Sequence, residues 1–336
     1  MHLQTVTKGR DKMTQNSNAI ITLCSHLCVG DDVIPLEPKE WSELAAKLMK
    51  LGLQPQNIFD FSVDEICEKL MVSKEYSERI MRLIDRNASL MFEISEYENM
   101  GIKIVTRADK QYPQKLKLVL GNGCPPLFYY AGDLNLLGRE YIGYVGSRSI
   151  NEDDEAFVKM MVGKTTSKGY GVVSGGAKGI DAIAEEESLK LGAPTIAYLA
   201  DSMLTKMKKS HIIRGIGNKQ LLLLSVVKPN APFNTGVAMM RNKYIYAQSK
   251  ATMVVKSELN KGGTWAGATE NLKHGWCKQL CRNKDEYPGN TALIQQGSVA
   301  VDEMWNGDLE LLKNASSFEV IEQISMFDNN QIKDNK

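Results

Sequence analysis

Between Tyr141 and His274, short apolar runs alternate with stretches of helical length, and no other feature of the sequence limits the fold so strongly. The runs are Tyr141–Val145, Gly171–Ser174, Thr195–Leu199, residues 221–226 and residues 252–255. Helical stretches are expected at about 153–168, from 181 to 191, at about 235–249 and at about 266–274. Runs this short, apolar at successive positions, suit the interior of a parallel sheet, and connections of a dozen or more residues have the length of crossover helices. The sequence therefore predicts an α/β fold, a mostly parallel sheet with helices on both faces, whose default ligand site is the crevice at the carboxyl ends of the strands.

The 336 residues allow two or three domains. Residues 1–35 are expected to form an arm. Residues 36–100 read as a small all-helical, SAM-like module. Trp41, Leu44, Ala45, Leu48 and Leu51 recur at helical spacing until Gly52, Ser62 with Glu65 forms a capping box, and a third helix is expected from Ser73 to about Met100. Residues 101–305 form the α/β domain and 306–336 a polar tail, expected as a short helix and disorder. No apolar run approaches the roughly 18–20 residues of a membrane span, and the N-terminus lacks a secretory apolar stretch, so the expected location is the cytoplasm. The 6 cysteines have no framework spacing and are expected to be reduced.

The strongest local signal is Val173-Ser174-Gly175-Gly176-Ala177-Lys178-Gly179-Ile180-Asp181, where a strand meets a helix. Glycines there let backbone amides close on an anion, and the helix behind adds the positive end of its dipole. A phosphate suits such a turn, although the sequence has neither Walker nor dinucleotide-fingerprint spacing, and a tight structural turn would read alike. Gly146, Ser147 and Arg148 end the preceding run and are expected to lie beside that turn. The arginine brings a planar fork for phosphate oxygens and the serine a hydroxyl. Arg241 with Asn242, and the segment from Lys256 and Ser257 through Lys261, Gly262, Gly263, Thr264 and Trp265, fall on the same side of the sheet. The candidate phosphate-binding residues are thus Gly146, Ser147, Arg148, Ser174, Gly175, Gly176, Lys178, Gly179, Arg241, Asn242, Lys256, Gly263 and Thr264. The formal net charge is only +1, but residues 141–282 hold 20 Lys and Arg against 11 Asp and Glu, so the positive charge concentrates in this domain.

In this order, the Gly-Ser-Arg turn, the Ser-Gly-Gly-Ala-x-Gly-Ile-Asp turn, Arg-Asn and a glycine-rich turn before a helix resemble the DprA family of DNA-processing proteins, also called Smf. The resemblance extends upstream through Tyr112, Pro113, Leu116, Pro125, Pro126, Leu127, Phe128, Tyr129, Gly132 and Asp133, and downstream through Gly289, Asn290, Leu293, Ile294 and Gly297, covering about residues 100–300. It implies a Rossmann-like domain that binds single-stranded DNA in a basic pocket, uses no cofactor, performs no chemistry of its own, forms a homodimer and hands the strand to RecA. Glu185 stands where the family commonly has His, Lys256 where it has an acidic residue, and Gly262-Gly263-Thr264-Trp265 replaces Ser-Gly-Ser-Leu. Gly275-Trp276 replaces Gly-Arg, and a C-terminal winged-helix domain is expected to be missing. These departures resemble a divergent branch found with phage-defence or toxin–antitoxin modules, in which the chain would restrain a partner toxin.

Other constellations carry less. Cys277, Cys281 and His274, or Cys24, Cys28 and His26, have loose spacing for zinc, and buried thiols are the expected reading. The 4 histidines make no catalytic array. Trp265 and Trp276 either stack bases or pack the core, and Lys206, Lys208, Lys209, His211 and Arg214 either track a backbone or form a solvated face. Gly262 to Glu270 faintly resembles the glycine-rich loop of the LOG nucleotide phosphoribohydrolases, which makes Glu270 the residue to watch for hydrolase chemistry.

Overall fold

The computed structural model describes residues 13–29 and 33–310; His2 and the expected C-terminal tail from 311 lie outside them. The chain divides into two compact units, Met1–Tyr130 with Val226–Pro229, and Ala131–Ser225 with Asn230–Lys336.

The first unit is built from helices α1 (Gln15–Cys24), α2 (Pro38–Lys50), α3 (Val63–Leu70), α4 (Lys74–Asp85) and α5 (Asn87–Asn99), then strand β1 (Lys103–Thr106), helix α6 (Gln114–Leu120) and strand β2 (Leu127–Gly132) as far as Tyr130. Helix α1 lies inside the stretch read as an arm. Ala19 to Cys24 are all buried, so the segment shows no polar stripe for a periodicity search to find. The Ser62–Glu65 capping box is present. The single helix expected after Ser73 is two helices, divided at Arg86, whose guanidinium donates to the carbonyls of Leu27 (2.5 Å), Thr22 (2.6 Å) and Ser25 (2.8 Å). Those bonds satisfy acceptors around the end of α1 that the helix itself leaves open. Strands β1 and β2 pair antiparallel, with Lys103 opposite Tyr130.

The second unit continues with β3 (Tyr141–Val145), α7 (Glu152–Ser167), β4 (Gly171–Ser174), α8 (Ile180–Lys190), β5 (Thr195–Leu199), α9 (Met203–Lys206), α10 (Ser210–Gly217), β6 (Leu221–Ser225), α11 (Thr235–Gln248), β7 (Ala251–Val254), α12 (Gly262–His274), β8 (Lys278–Arg282), α13 (Pro288–Gln295) and β9 (Val299–Val301). Its strands run in the order β6-β5-β4-β3-β7-β8-β9, and each neighbouring pair in this run is parallel. Strands β3 to β7 are buried at every position, as a sheet covered on both faces requires. Ile142, Tyr144, Val172 and Met253 pack with Phe157, Val158, Met161 and Val162 of α7 and with Ile180 and Ala184 of α8 in one core. Helix α11 packs against β3, β4, β5 and β7. The α/β fold read from the sequence is the observed one.

Strand order locates the ligand crevice. From β3 the chain steps outward through β4, β5 and β6, then returns by α11 to lay β7 on the other side of β3 and continues through β8 to β9. The winding direction reverses between β3 and β7, so the loops leaving their carboxyl ends part and open a gap.

Candidate phosphate-binding cleft

Three loops meet at that reversal because glycines let them touch. Gly179 has φ +79°, and a Cβ there would lie 2.4 Å from the Ser147 carbonyl oxygen and 2.7 Å from the Cα of Arg148. A Cβ on Gly146 would lie 2.6 Å from Cγ1 of Ile180. The Ser147 amide donates to the Lys256 carbonyl at 3.0 Å, and the Ile180 amide to the Ser147 carbonyl at 3.4 Å. The β3 loop is thereby tied to both neighbours.

A cleft of about 630 Å³ opens above them. Gly146, Ser147, Arg148, Arg241, Asn242, Lys256, Gly263 and Thr264, eight of the thirteen candidate residues, line it together. Of the glycine turn, only Ala177 and, just past it, Asp181 are among the described lining residues, whereas Ser174, Gly175, Gly176, Lys178 and Gly179 are not. The reason is chemical. The Asp181 carboxylate accepts the Gly175 amide at 3.0 Å and also the Ala177 amide, and the Gly176 amide donates to the Ser174 hydroxyl at 3.3 Å, so three donors of the turn are used within it. Lys178 is exposed outside the lining.

The cations divide into free and paired. Arg148 is exposed, with its guanidinium 4.8 Å from the centre of the Phe233 ring. Arg241 is only 5% exposed. It donates to the Tyr198 carbonyl at 3.0 Å and stands 3.9 Å from the Asp181 carboxylate. Burial pushes the Asp181 carboxyl up and the Arg241 guanidinium down, and their mutual attraction opposes both shifts. Lys256 contacts Asp154 at 2.9 Å, yet its side chain is 28% exposed and an ammonium has three donors, so it can serve the cleft as well. Asn242 donates to the Gly263 carbonyl at 3.0 Å and fixes the first turn of α12. That helix begins four residues before its expected start, which brings Gly263 and Thr264 into its amino-terminal turn. Its N-cap, Lys261, makes no side-chain capping bond.

Other lining residues were missed by sequence reasoning. Tyr246 stands one turn beyond Asn242 on the same face of α11, and that i,i+4 relation was the available signal. Phe233 precedes α11 and had no motif to mark it. Trp265 lines the cleft, while Trp276 does not; Trp276 packs near Tyr246 and stacks on His274 at 5.2 Å. Lys206 is buried against Glu185 at 3.0 Å and is removed from any backbone-tracking face, whereas Lys208, Lys209 and Arg214 are exposed. This pairing also gives Glu185 its partner. Glu270 is exposed on α12 and outside the cleft lining, so the residue expected to serve hydrolase chemistry does not face the cleft. Cys277 and Cys281 are buried thiols, and no group of three or more metal-binding side chains occurs among the described residues. Nor is any described helix long and apolar enough to cross a membrane.

Comparisons with known proteins give this geometry its relatives. The family described as DNA recombination-mediator protein A matches residues 103–308. The chain is 29% identical over 214 residues to the DNA processing protein DprA of Bacillus subtilis, covering 62% of this chain and 71% of that one. It is 26% identical over 189 residues to DprA of Streptococcus pneumoniae, covering 56% and 63%, and 25% identical over 184 residues to protein Smf of Escherichia coli, covering 53% and 49%. Among solved structures, DprA from Streptococcus pneumoniae superposes with a TM-score of 0.62 at 20% identity, over 85% of this chain and all of that one. A Helicobacter pylori DprA, whose structure concerns a unique single-stranded DNA binding mode, gives 0.52 at 22% identity over 64% and 97%. These two likenesses carry the fold. Since the family match spans well over half of its 336 residues, the chain belongs to the DNA recombination-mediator protein A family.

Proposed function

We propose that the cleft between the β3 and β7 loops holds single-stranded DNA by its phosphates, in a role in DNA processing or recombination. One observation carries this reading: the cleft lies at the reversal of strand order and its lining holds Arg148, Arg241, Lys256 and Lys261 against Asp181 and Glu258, an excess of cations at the place where an α/β sheet binds ligands. Arg148 and Lys261 are exposed cations at its surface, and Arg241 is the most buried of the four. Binding of this kind is electrostatic and largely indifferent to sequence, because phosphates position a strand and carry no base information. Phe233 and Trp265 add ring faces on which unpaired bases stack, which favours a single strand over a duplex. The homodimer, a hand-off to RecA, or restraint of a toxin in a defence module belong to the same family reading, as do residues 101–305 as the DNA-binding domain. The mass of the protein in solution tests the first of these.

Arg148→Ala is the test of the site. Arg148 is exposed and stacks on one ring, so its loss leaves the fold intact. Affinity for single-stranded oligonucleotides of different sequence should fall about tenfold alike, the worth of one charge-assisted contact. Fluorescence anisotropy reads the change, and an unchanged affinity removes Arg148 from the interface.

A further inference from the structure

The inner end of the cleft contains polar groups that the fold leaves unused. Tyr246 is 1% exposed, and its hydroxyl has no hydrogen-bond partner among the described residues although its side chain lines the cleft. The Nε of Arg241, in the same lining, is also buried without a partner. A buried donor left unmade is costly, and such groups are retained where something else satisfies them. Beside them stands the amino-terminal turn of α12, thirteen residues long, with no side-chain cap and with the amides of Gly263, Thr264 and Trp265 at the positive end of its dipole. The nearest acid, Asp181, is neutralised by Arg241 and by the Gly175 and Ala177 amides, and Glu258 lies 3.8 Å from Lys261.

From these groups we infer that the inner cleft seats the terminal phosphomonoester of a nucleotide, either at the end of a strand or on a free mononucleotide. This rests on the reading of the cleft as a phosphate site and adds which phosphate it takes. Depth is the first reason. A diester in mid-strand reaches a buried group only if both neighbouring nucleotides follow it in, whereas an end enters alone. Charge is the second. A monoester carries close to two negative charges at neutral pH against one for a diester, and gains more from an open helix terminus. Size is the third. At about 630 Å³ the cleft far exceeds a bare phosphate and falls among sites that enclose a whole small ligand. Trp265 and Phe233 on its walls offer the base a face.

The experiment uses the full chain and one oligonucleotide sequence in three forms: 5′-phosphorylated, 3′-phosphorylated and hydroxyl at both ends. Calorimetry with a deoxynucleoside monophosphate, its nucleoside and inorganic phosphate runs alongside. A phosphorylated end should bind about tenfold tighter than the all-hydroxyl strand, and Tyr246→Phe, which removes one oxygen and keeps the ring, should erase most of that advantage, bringing the three strands to nearly equal affinity. The monophosphate should bind and displace a phosphorylated strand, while the nucleoside and inorganic phosphate bind far more weakly. Equal affinity for all three strands, or an end preference that Tyr246→Phe does not reduce, overturns the inference while strand binding stands. Binding of the monophosphate with no strand binding overturns the single-strand reading and keeps the nucleotide seat.

Discussion

Asp154→Asn is expected to lower the unfolding temperature by about 10 °C, from a loss of about 3–5 kcal/mol, at the 2–4 °C per kcal/mol of a unit of this size. Asp154 is completely buried in the first turn of α7. Its carboxylate contacts Arg282 at 3.2 Å and Lys256 at 2.9 Å, and accepts from the Tyr287 hydroxyl at 2.5 Å. Arg282 is itself almost fully buried and reaches the exposed acids Asp153 (2.9 Å) and Glu303 (3.2 Å) with its other nitrogen. Removing the central charge leaves the buried Arg282 and the partly exposed Lys256 without the carboxylate that lies between them. Burial pushes the Asp154 carboxyl up, but bonds from Tyr287, Lys256 and the Asn151 amide outweigh it and hold the carboxyl below its ordinary range. A lowered carboxyl stabilises the fold fully above its unfolded pKa, near 4, and that contribution fades as pH falls through the lower folded value. Wild type should therefore lose stability below about pH 4, and the gap to Asp154→Asn should narrow there. Thermal melts at pH 7 and pH 3 check both statements, and a shift under about 2 °C at pH 7 shows that the network is idle.

Gly179→Ala is expected to cost about 2–4 kcal/mol and to lower DNA affinity more than Arg148→Ala does. The residue holds φ +79° and ψ −130°, a conformation that only glycine adopts without strain. A Cβ would also meet backbone atoms of Ser147 and Arg148, which cannot swing aside as a side-chain end does. The β3 loop must then retreat and carry Arg148 away from the cleft. Chemical denaturation measures the stability term of this change, and anisotropy on the fraction that remains folded measures the binding term. Full affinity in folded Gly179→Ala protein would mean that the contact between the loops does not shape the site.

What the sequence made legible follows from the range of the forces involved. Alternation of apolar runs with helices is local, and so are strand ends that turn on glycine, which is why the sheet could be read in advance and why eight of the thirteen candidate residues fall in the cleft lining. Helix α1 escaped because its stretch from Ala19 to Cys24 is buried at every position and has no polar stripe. Lys256 was readable as a cation but not as the partner of Asp154, which lies about a hundred residues earlier and meets it only after the sheet closes. The glycine turn was legible as a motif, but its internal bonding was not. Its amides suit any carboxylate or phosphate, and Asp181 at the end of the same motif accepts two of them, a pairing that depends on distances spacing alone does not fix. Tyr246 was hidden because an aromatic residue on an apolar helix reads as core until the partner of its hydroxyl is sought.

The account rests most heavily on the cleft as a phosphate seat, and the salt dependence of single-strand binding addresses that directly. Affinity for a short single-stranded oligonucleotide is measured from 50 to 300 mM salt, beside a duplex of the same sequence. With three of the four lining cations engaged, the logarithm of affinity should fall with the logarithm of salt at a slope of about −2, with Arg148→Ala flattening it by about 0.7 and the duplex binding more weakly throughout. A slope near zero, or a duplex bound as tightly as the single strand, would contradict it.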